Sequence, residues 1–372
     1  MLEFLSSFFQ YFEALTWQQV VMWIIGGVLI FLAIKKEMEP TLLLPMGFGA
    51  ILVNLPMSGA IGAEGPLTTL FNAGINNELF PLILFIGIGA MIDFGPLLSN
   101  PKLMFFGAAA QFGIFFTIFV ASFVFPDLAD AASIGIIGAA DGPTAIVVSQ
   151  RLGASDGVRA AIMVAAYSYM ALVPVIQPPV IKLLTTKKER QIRMPYEPKE
   201  VTKLTRILFP IVITVIAGLI APDSVSLVGF LMFGNLIREC GVLNSLSDTA
   251  QNVLANLITI FLGITIATQM VADQFINFGT LLIIGLGLFA FVFDTAAGVL
   301  FAKLVNVFSK KKINPMIGAT GISAFPMSAR VVHKMGLEED PQNFLLMHTI
   351  GVNVSGQIAS VIAGGMILQM FL

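Results

Sequence analysis

The stretches 257–267 and 281–293 are long, nearly unbroken apolar runs, and nothing else in the chain restricts its fold so strongly. A transmembrane β-strand alternates apolar and polar residues at period 2. These runs show no such alternation and have helical length, so the bilayer is spanned by helices. Charge agrees with this reading. Only 11% of the 372 residues are charged and 57% are hydrophobic, whereas an ordinary soluble domain is roughly 25% charged. Eleven of the charged residues are packed between Lys182 and Arg206, which leaves long stretches almost bare. The fold class is an all-α polytopic membrane protein. Its net charge of −2 carries no message, because it mixes two sides of a membrane. Cys240 is the single cysteine, which excludes an internal disulfide and a cysteine metal cluster.

Ten stretches are candidate spans: 20–34, 41–55, 80–91, 103–125, 157–183, 207–220, 224–237, 253–270, 278–302 and 343–372. Two more, 131–150 and 314–330, are apolar enough to enter the membrane but are broken by Gly and Pro. The N-terminal stretch lacks a basic region and a small-residue cleavage site, so residues 1–18 are expected to form an interfacial helix rather than a cleaved signal. Orientation follows from the positive-inside bias. The segment from Lys182 to Arg206 holds eight Lys or Arg and three Glu, and Lys310, Lys311 and Lys312 form a second basic block. Both belong in the cytoplasm. Counting back from them puts Lys35 and Lys36 inside, and Glu64, Glu78, Asp127 and Asp130 outside. The parity holds only if 131–150 is a re-entrant hairpin from outside and 314–330 a re-entrant hairpin from the cytoplasm.

The two halves echo one another in order. Met46-Gly47-Phe48-Gly49 resembles Leu231-Met232-Phe233-Gly234, Leu84-Phe85-Ile86-Gly87-Ile88 resembles Ile260-Phe261-Leu262-Gly263-Ile264, and Ile137-Gly138-Ala139-Ala140 resembles Ile317-Gly318-Ala319-Thr320, at offsets of 185, 176 and 180. About five spans plus one hairpin per repeat is an odd number of crossings, so the second repeat is expected to be inverted. The chain then divides into the interfacial helix at 1–18, a first transmembrane repeat at 19–183, a basic cytoplasmic linker at 184–206 and a second, inverted repeat at 207–372. Inverted repeats with broken segments meeting at the midplane are the architecture of secondary transporters.

Asp141 lies in Gly138-Ala139-Ala140-Asp141-Gly142-Pro143-Thr144, inside the first broken stretch. A carboxylate at membrane depth costs several kcal/mol unless it is paired, so it marks an ion site by default. The competing reading is a turn residue that caps the helix starting near Thr144. Oxygen ligands without sulfur or imidazole suit a hard cation. Tyr167 and Tyr169 follow in Ala165-Ala166-Tyr167-Ser168-Tyr169, where each is either a ligand or core packing. Asn353, in Gly351-Val352-Asn353-Val354-Ser355-Gly356, is either a ligand or an interhelical hydrogen-bonding residue. The second broken stretch supplies Asn314, Thr320, Ser323, Ser328 and Arg330. Arg330 either snorkels to the headgroups or grips a carboxylate with two parallel hydrogen bonds. Asp294 sits in an apolar span and either relays protons or pairs with Lys303. No Gly-Lys dipeptide occurs, so there is no ATP-binding Walker loop, and no His-Glu-x-x-His zinc motif.

Over essentially the whole chain these residues resemble the β subunit of the biotin-dependent, sodium-translocating decarboxylases, which serve oxaloacetate, glutaconyl-CoA and methylmalonyl-CoA. The most specific parts are Gly138 to Thr144 and the spacing of Asn314, Gly318, Ser323 and Arg330. The resemblance implies that Asp141 and Tyr167 bind sodium or exchange it for protons, with Asn353 in the same site. It also implies that Asn314 and Ser323 line a coupled site and that Arg330 faces carboxybiotin.

The implied activity is decarboxylation of carboxybiotin, coupled to sodium export and consumption of one proton. Sodium entering the site would release a proton shared by Asp141 and Tyr167 toward the departing biotin. No biotinyl Met-Lys-Met tripeptide occurs, so the biotin comes in trans on a carrier subunit. Other implied partners are a carboxyltransferase α subunit, a small membrane γ or δ subunit, further copies of this chain and the bilayer, with no nucleic acid. The expected location is the bacterial inner membrane. The rival reading is a secondary transporter, a sodium/proton antiporter or sodium/carboxylate symporter, with the same inverted repeats.

Overall fold

The computed structural model describes residues 13–197 and 199–372, and among these there are helices and no strands. The N-terminal interfacial helix falls mostly on residues 1–12, outside the described residues. The first described helix, α1 (Trp17–Lys35), opens on a capping box in which Thr16 and Gln19 satisfy each other's backbone N–H. Then come α2 (Pro40–Val53), α3 (Leu79–Met91), α4 (Pro101–Ala121), α5 (Leu128–Gly135), α6 (Gly142–Arg151) and α7 (Asp156–Leu184). The second half holds α8 (Lys203–Ile220), α9 (Val225–Glu239), α10 (Asn244–Gln269), α11 (Phe278–Phe308), α12 (Met327–Glu339) and α13 (Leu346–Phe371).

Seven of the described helices (α1, α4, α7, α8, α10, α11 and α13) are long and apolar enough to cross a membrane, or eight if α3 is counted with the short helix before it, which it meets at 64°. Ten spans were expected, and the difference lies at 41–55, 80–91 and 224–237. Those segments are helical but have only 14, 13 and 15 residues, or roughly 20 Å at 1.5 Å per residue against a core of about 30 Å. Local chemistry ends α2 early. Asn54 donates its amide to the carbonyls of Ala50 and Met270, both at 2.8 Å, and accepts the Ala272 N–H at 2.7 Å. The chain is turned there and tied to the end of α10.

Outer and inner helices differ in what they bury. α8 buries only Pro210 and Ala217 and leaves Leu219 80% exposed, an apolar surface suited to lipid. α13 buries Asn353, Ser355, Gln357 and Ser360 with their apolar neighbours. Between these inner helices run two broken segments. The first is α5, a 3₁₀ turn over Ile136–Ala139, a left-handed Ala140 (φ 51°) and then α6. The second is a 3₁₀ helix over Pro315–Gly321, followed by extended backbone at Ile322 and then α12. Each segment is closed at its base. Asp130 accepts the backbone N–H of Ser155 at 2.8 Å and its hydroxyl at 3.1 Å. At the second base, Asn314 and Asn343 both donate to the Arg190 carbonyl at 2.8 Å. α11 packs on both segments, closest where Gly298 meets Gly318: a Cβ on Gly298 would lie 2.0 Å from the Gly318 carbonyl oxygen. Only glycine allows that approach.

Charged pairs gather at two ends of the bundle. One end has Arg151 on Glu78 at 2.9 Å. The other holds the basic connection after α7, where Arg190 meets Glu339 at 2.6 Å, Arg193 meets Asp340 at 2.5 Å and Lys303 meets Glu189 at 3.1 Å.

Candidate functional site

The break before α6 positions Asp141. Left-handed Ala140 turns the chain, and Pro143 suits the first helical turn because its missing N–H would have no helical partner there. Asp141 is 3% exposed, and its two oxygens have different work. Oδ1 accepts the Thr144 N–H at 3.2 Å, so the capping geometry exists. Oδ2 accepts from Gln357 Nε2 at 3.1 Å and from Ser360 Oγ at 2.8 Å, both on α13. A capping role and a polar-site role therefore coexist on one carboxylate.

Tyr167 lies beside it. Its ring packs on Gly142, where a Cβ would come within 2.5 Å of the ring carbons. The side chain is 1% exposed, and its hydroxyl has no hydrogen-bond partner among the described residues. The hydroxyl of Tyr169, by contrast, donates to the Ile284 carbonyl. The two tyrosines left open by the sequence are thus distinguished: Tyr167 has a free oxygen and Tyr169 is engaged in packing. Asn353 donates its amide to the Ile322 carbonyl at 2.7 Å and keeps a buried Oδ1 without a partner among the described residues. Ser323 joins the two broken segments, since its N–H and hydroxyl both donate to the Ala139 carbonyl, at 3.0 and 2.8 Å. Tyr167 shares a cavity wall with Asp141, whereas Asn353 does not border that cavity; all three present oxygen, the hard ligand type that suits a hard cation.

A cavity of about 290 Å³ brings most of these residues together; Asp141, Tyr167, Ser323 and Arg330 all border it. Arg330 is exposed to it, with no acceptor for its guanidinium among the described residues. Glu39 is also on its wall, half-buried at the N-cap of α2 in a left-handed conformation (φ 38°, ψ 61°) uncommon for a residue with a side chain. Burial pushes the Glu39 carboxyl above the usual carboxylate range, and the nearby Arg330 charge and the Thr41 hydroxyl offset part of that rise.

Two sequence expectations are placed elsewhere. Asn314 does not border the cavity. Its Oδ1 accepts the Met316 N–H at 3.1 Å, and its amide donates to the carbonyls of Arg190 and Ile192, at 2.8 and 3.0 Å. A side chain so engaged fastens the base of the second segment. Asp294 is not paired with Lys303, whose ammonium is held by Glu189 and the Leu184 carbonyl. Asp294 is 1% exposed, accepts the Ile114 N–H at 3.1 Å and keeps Oδ2 without a partner among the described residues. Sequence reading missed Gln357 and Ser360. Their signal was the spacing from Asn353 of four and seven, which puts all three on one helical face.

An all-α bundle with two broken segments, a buried carboxylate where they meet and a cavity bordered by that carboxylate and an exposed arginine defines a multi-pass membrane protein with a polar interior. Residues 18–371 match the family described as the Na⁺-transporting oxaloacetate decarboxylase beta subunit, and the chain belongs to that family. It is similar to the methylmalonyl-CoA decarboxylase subunit beta of Propionigenium modestum, at 48% identity over 97% of this chain and 96% of that one. It is also similar to the oxaloacetate decarboxylase beta chain of Klebsiella pneumoniae, at 46% over 94% of each chain. The glutaconyl-CoA decarboxylase subunit beta of Acidaminococcus fermentans is 47% identical over 96% of this chain and 95% of its own. The chain is a membrane β subunit of a sodium-pumping decarboxylase, multi-pass in the bacterial inner membrane. The secondary-transporter alternative is not favoured, because these relatives are decarboxylase subunits.

Proposed function

We propose that this subunit decarboxylates carboxybiotin, presented by a carrier subunit at its cytoplasmic face, and couples the reaction to sodium export. The observation that carries the reading is the cavity itself, which puts an exposed Arg330 on the same wall system as Asp141, Tyr167 and Ser323. Arg330 holds the carboxylate of the N-carboxyl group in a bidentate grip. The N–C bond then breaks, CO₂ leaves, and the electron pair stays on the ureido nitrogen, which takes up one proton. Asp141, the Tyr167 hydroxyl and the Asn353 Oδ1 hold the sodium ion and exchange it for that proton. Ser323, which ties the segments at the Ala139 carbonyl, couples the two events. The relatives act on three different acyl substrates at nearly equal identity to this chain. That pattern supports a subunit working on the intermediate common to all three complexes.

Within the fold, the two broken segments are re-entrant hairpins of two inverted repeats, at 19–183 and 207–372, joined by the basic cytoplasmic linker at 184–206. Two observations support this. The ends of each segment meet, at Asp130 with Ser155 and at Asn314 with Asn343 through Arg190. The packing of the repeated motifs is also reciprocal: Gly49 on α2 faces Ile264 and Ala267 of the second half, and its counterpart Gly234 on α9 faces Ile86 and Ala90 of the first. The partners are the carrier and carboxyltransferase subunits, a small membrane subunit and further copies of this chain.

The test uses the protein in proteoliposomes with free carboxybiotin, measuring CO₂ release and sodium uptake together. Sodium-dependent decarboxylation with matched sodium movement is the expected result. Sodium movement without any decarboxylation would overturn the reading in favour of a plain transporter.

A further inference from the structure

One wall of the cavity is polar where its helix has little reason to be. α10 is an apolar spanning helix, yet Gln251, Asn256 and Thr259 all face the space that Arg330 borders. Residues Thr249–Leu254 form a π-helical turn. Bonding from i to i+5 widens that turn, and such turns recur at functional sites because they re-aim side chains. Here Gln251 lies within the turn and Asn256 two residues beyond it, and both border the same cavity. The Gln251 amide donates to Asp248 Oδ1 at 2.9 Å, which leaves its oxygen as an acceptor. Asn256 is exposed to the cavity and has no side-chain partner among the described residues. A free amide on a spanning helix is costly unless something polar meets it.

We propose that Gln251 and Asn256 are specificity residues that recognise the cyclic urea of the substrate, while Arg330 takes its carboxylate; this rests on the carboxybiotin reading above. After carboxylation of one nitrogen, the urea ring keeps one carbonyl acceptor and one N–H donor. A carboxamide offers the matching pair: its NH₂ donates to the urea carbonyl and its oxygen accepts the urea N–H. Lysine or arginine in these places would supply charge without an acceptor, and serine would reach only one of the two groups. A polar but uncharged strip opposite a single arginine therefore selects a neutral amide-like ring that carries one anion.

The experiment uses the full-length protein in proteoliposomes and free carboxybiotin, with Asn256→Leu and Gln251→Met compared with the parent. The KM for carboxybiotin rises about 3- to 10-fold in each variant, the range expected for one neutral hydrogen bond. The sodium concentration for half-saturation stays at the parental value, which also reports an intact fold. A second arm needs no substitution: carboxybiotin methylated on the uncarboxylated ureido nitrogen lacks the N–H. It should bind the parent more weakly, and Asn256→Leu should discriminate less between the two substrates. Parental KM values in both variants, or no penalty for the methylated substrate, would overturn the assignment while leaving the proposed function standing. Absence of carboxybiotin decarboxylation by the parent would instead remove the functional reading, and this inference with it.

Discussion

The two broken segments share a plan and divide the chemistry. Each has a 3₁₀ turn, each folds back so that its ends meet, and each packs on α11. The first carries the carboxylate, Asp141, and is buried. The second carries no carboxylate between Asn314 and Arg330; it supplies Ser323 and ends in an exposed cation. Their bases differ too, with an acidic side chain at Asp130 closing the first and two neutral amides closing the second. Two similarly built segments therefore bring a negative group and a positive group to one cavity. Cation binding and anion binding should then be separable by substitution.

The largest effect is expected at the first segment. Asp141→Asn preserves size and the cap to Thr144 but removes the charge that Gln357 and Ser360 now face. Sodium-stimulated decarboxylation should fall by on the order of 100-fold or more, about 3 kcal/mol, with expression and membrane insertion unchanged. Activity near the parental level would reduce Asp141 to its capping role. The second segment should fail differently. Arg330→Lys keeps the charge and loses the planar fork, so carboxybiotin turnover or affinity should drop by about 1.5 to 3 kcal/mol while sodium half-saturation stays put. A lysine snorkels as well as an arginine. An unchanged rate at saturating sodium would therefore take Arg330 out of the site.

Much of this contrast is legible in the sequence. Asp141 is conspicuous because a lone carboxylate in an apolar stretch needs a reason, and Arg330 because it ends a Gly- and Pro-broken one. Helix length is less legible: apolar windows register α2, α3 and α9 as spans although caps and turns stop them short. Long-range partners are not legible at all. Gln357 and Ser360 lie more than 200 residues from Asp141, and only the packing of α13 brings them to it. The distinction between Tyr167 and Tyr169 likewise depends on α11, whose Ile284 carbonyl takes one hydroxyl and leaves the other free.

Asn314 tests whether the base of a segment is structural or part of the ion path. Its amide holds the connection after α7 against the second segment with two hydrogen bonds, and its Oδ1 takes the Met316 N–H within the segment. Asn314→Ala is expected to cost about 2 kcal/mol of stability, seen as a lower melting temperature and faster proteolysis within 184–206, with sodium half-saturation little changed. A tenfold weaker sodium response at unchanged stability would return Asn314 to the ion site that the family resemblance suggests for it.

The smallest expected effect concerns the charge facing Arg330. Burial holds the Glu39 carboxyl above its ordinary value of 4.5, so as pH falls this group takes up a proton before exposed glutamates do. Above that point Glu39 is anionic and opposes an incoming carboxylate on the cavity wall; below it the wall is neutral and Arg330 acts alone. The KM for carboxybiotin should thus decrease as pH falls through the raised Glu39 pKa. The change is about twofold, within the 0–1 kcal/mol typical of partly exposed charges. Glu39→Gln should hold the low-pH KM at every pH. Initial rates corrected for spontaneous loss of CO₂ measure this directly. A Glu39→Gln profile that follows the parent would assign the pH dependence to another group and leave Arg330 as the only charge at the mouth that governs anion entry.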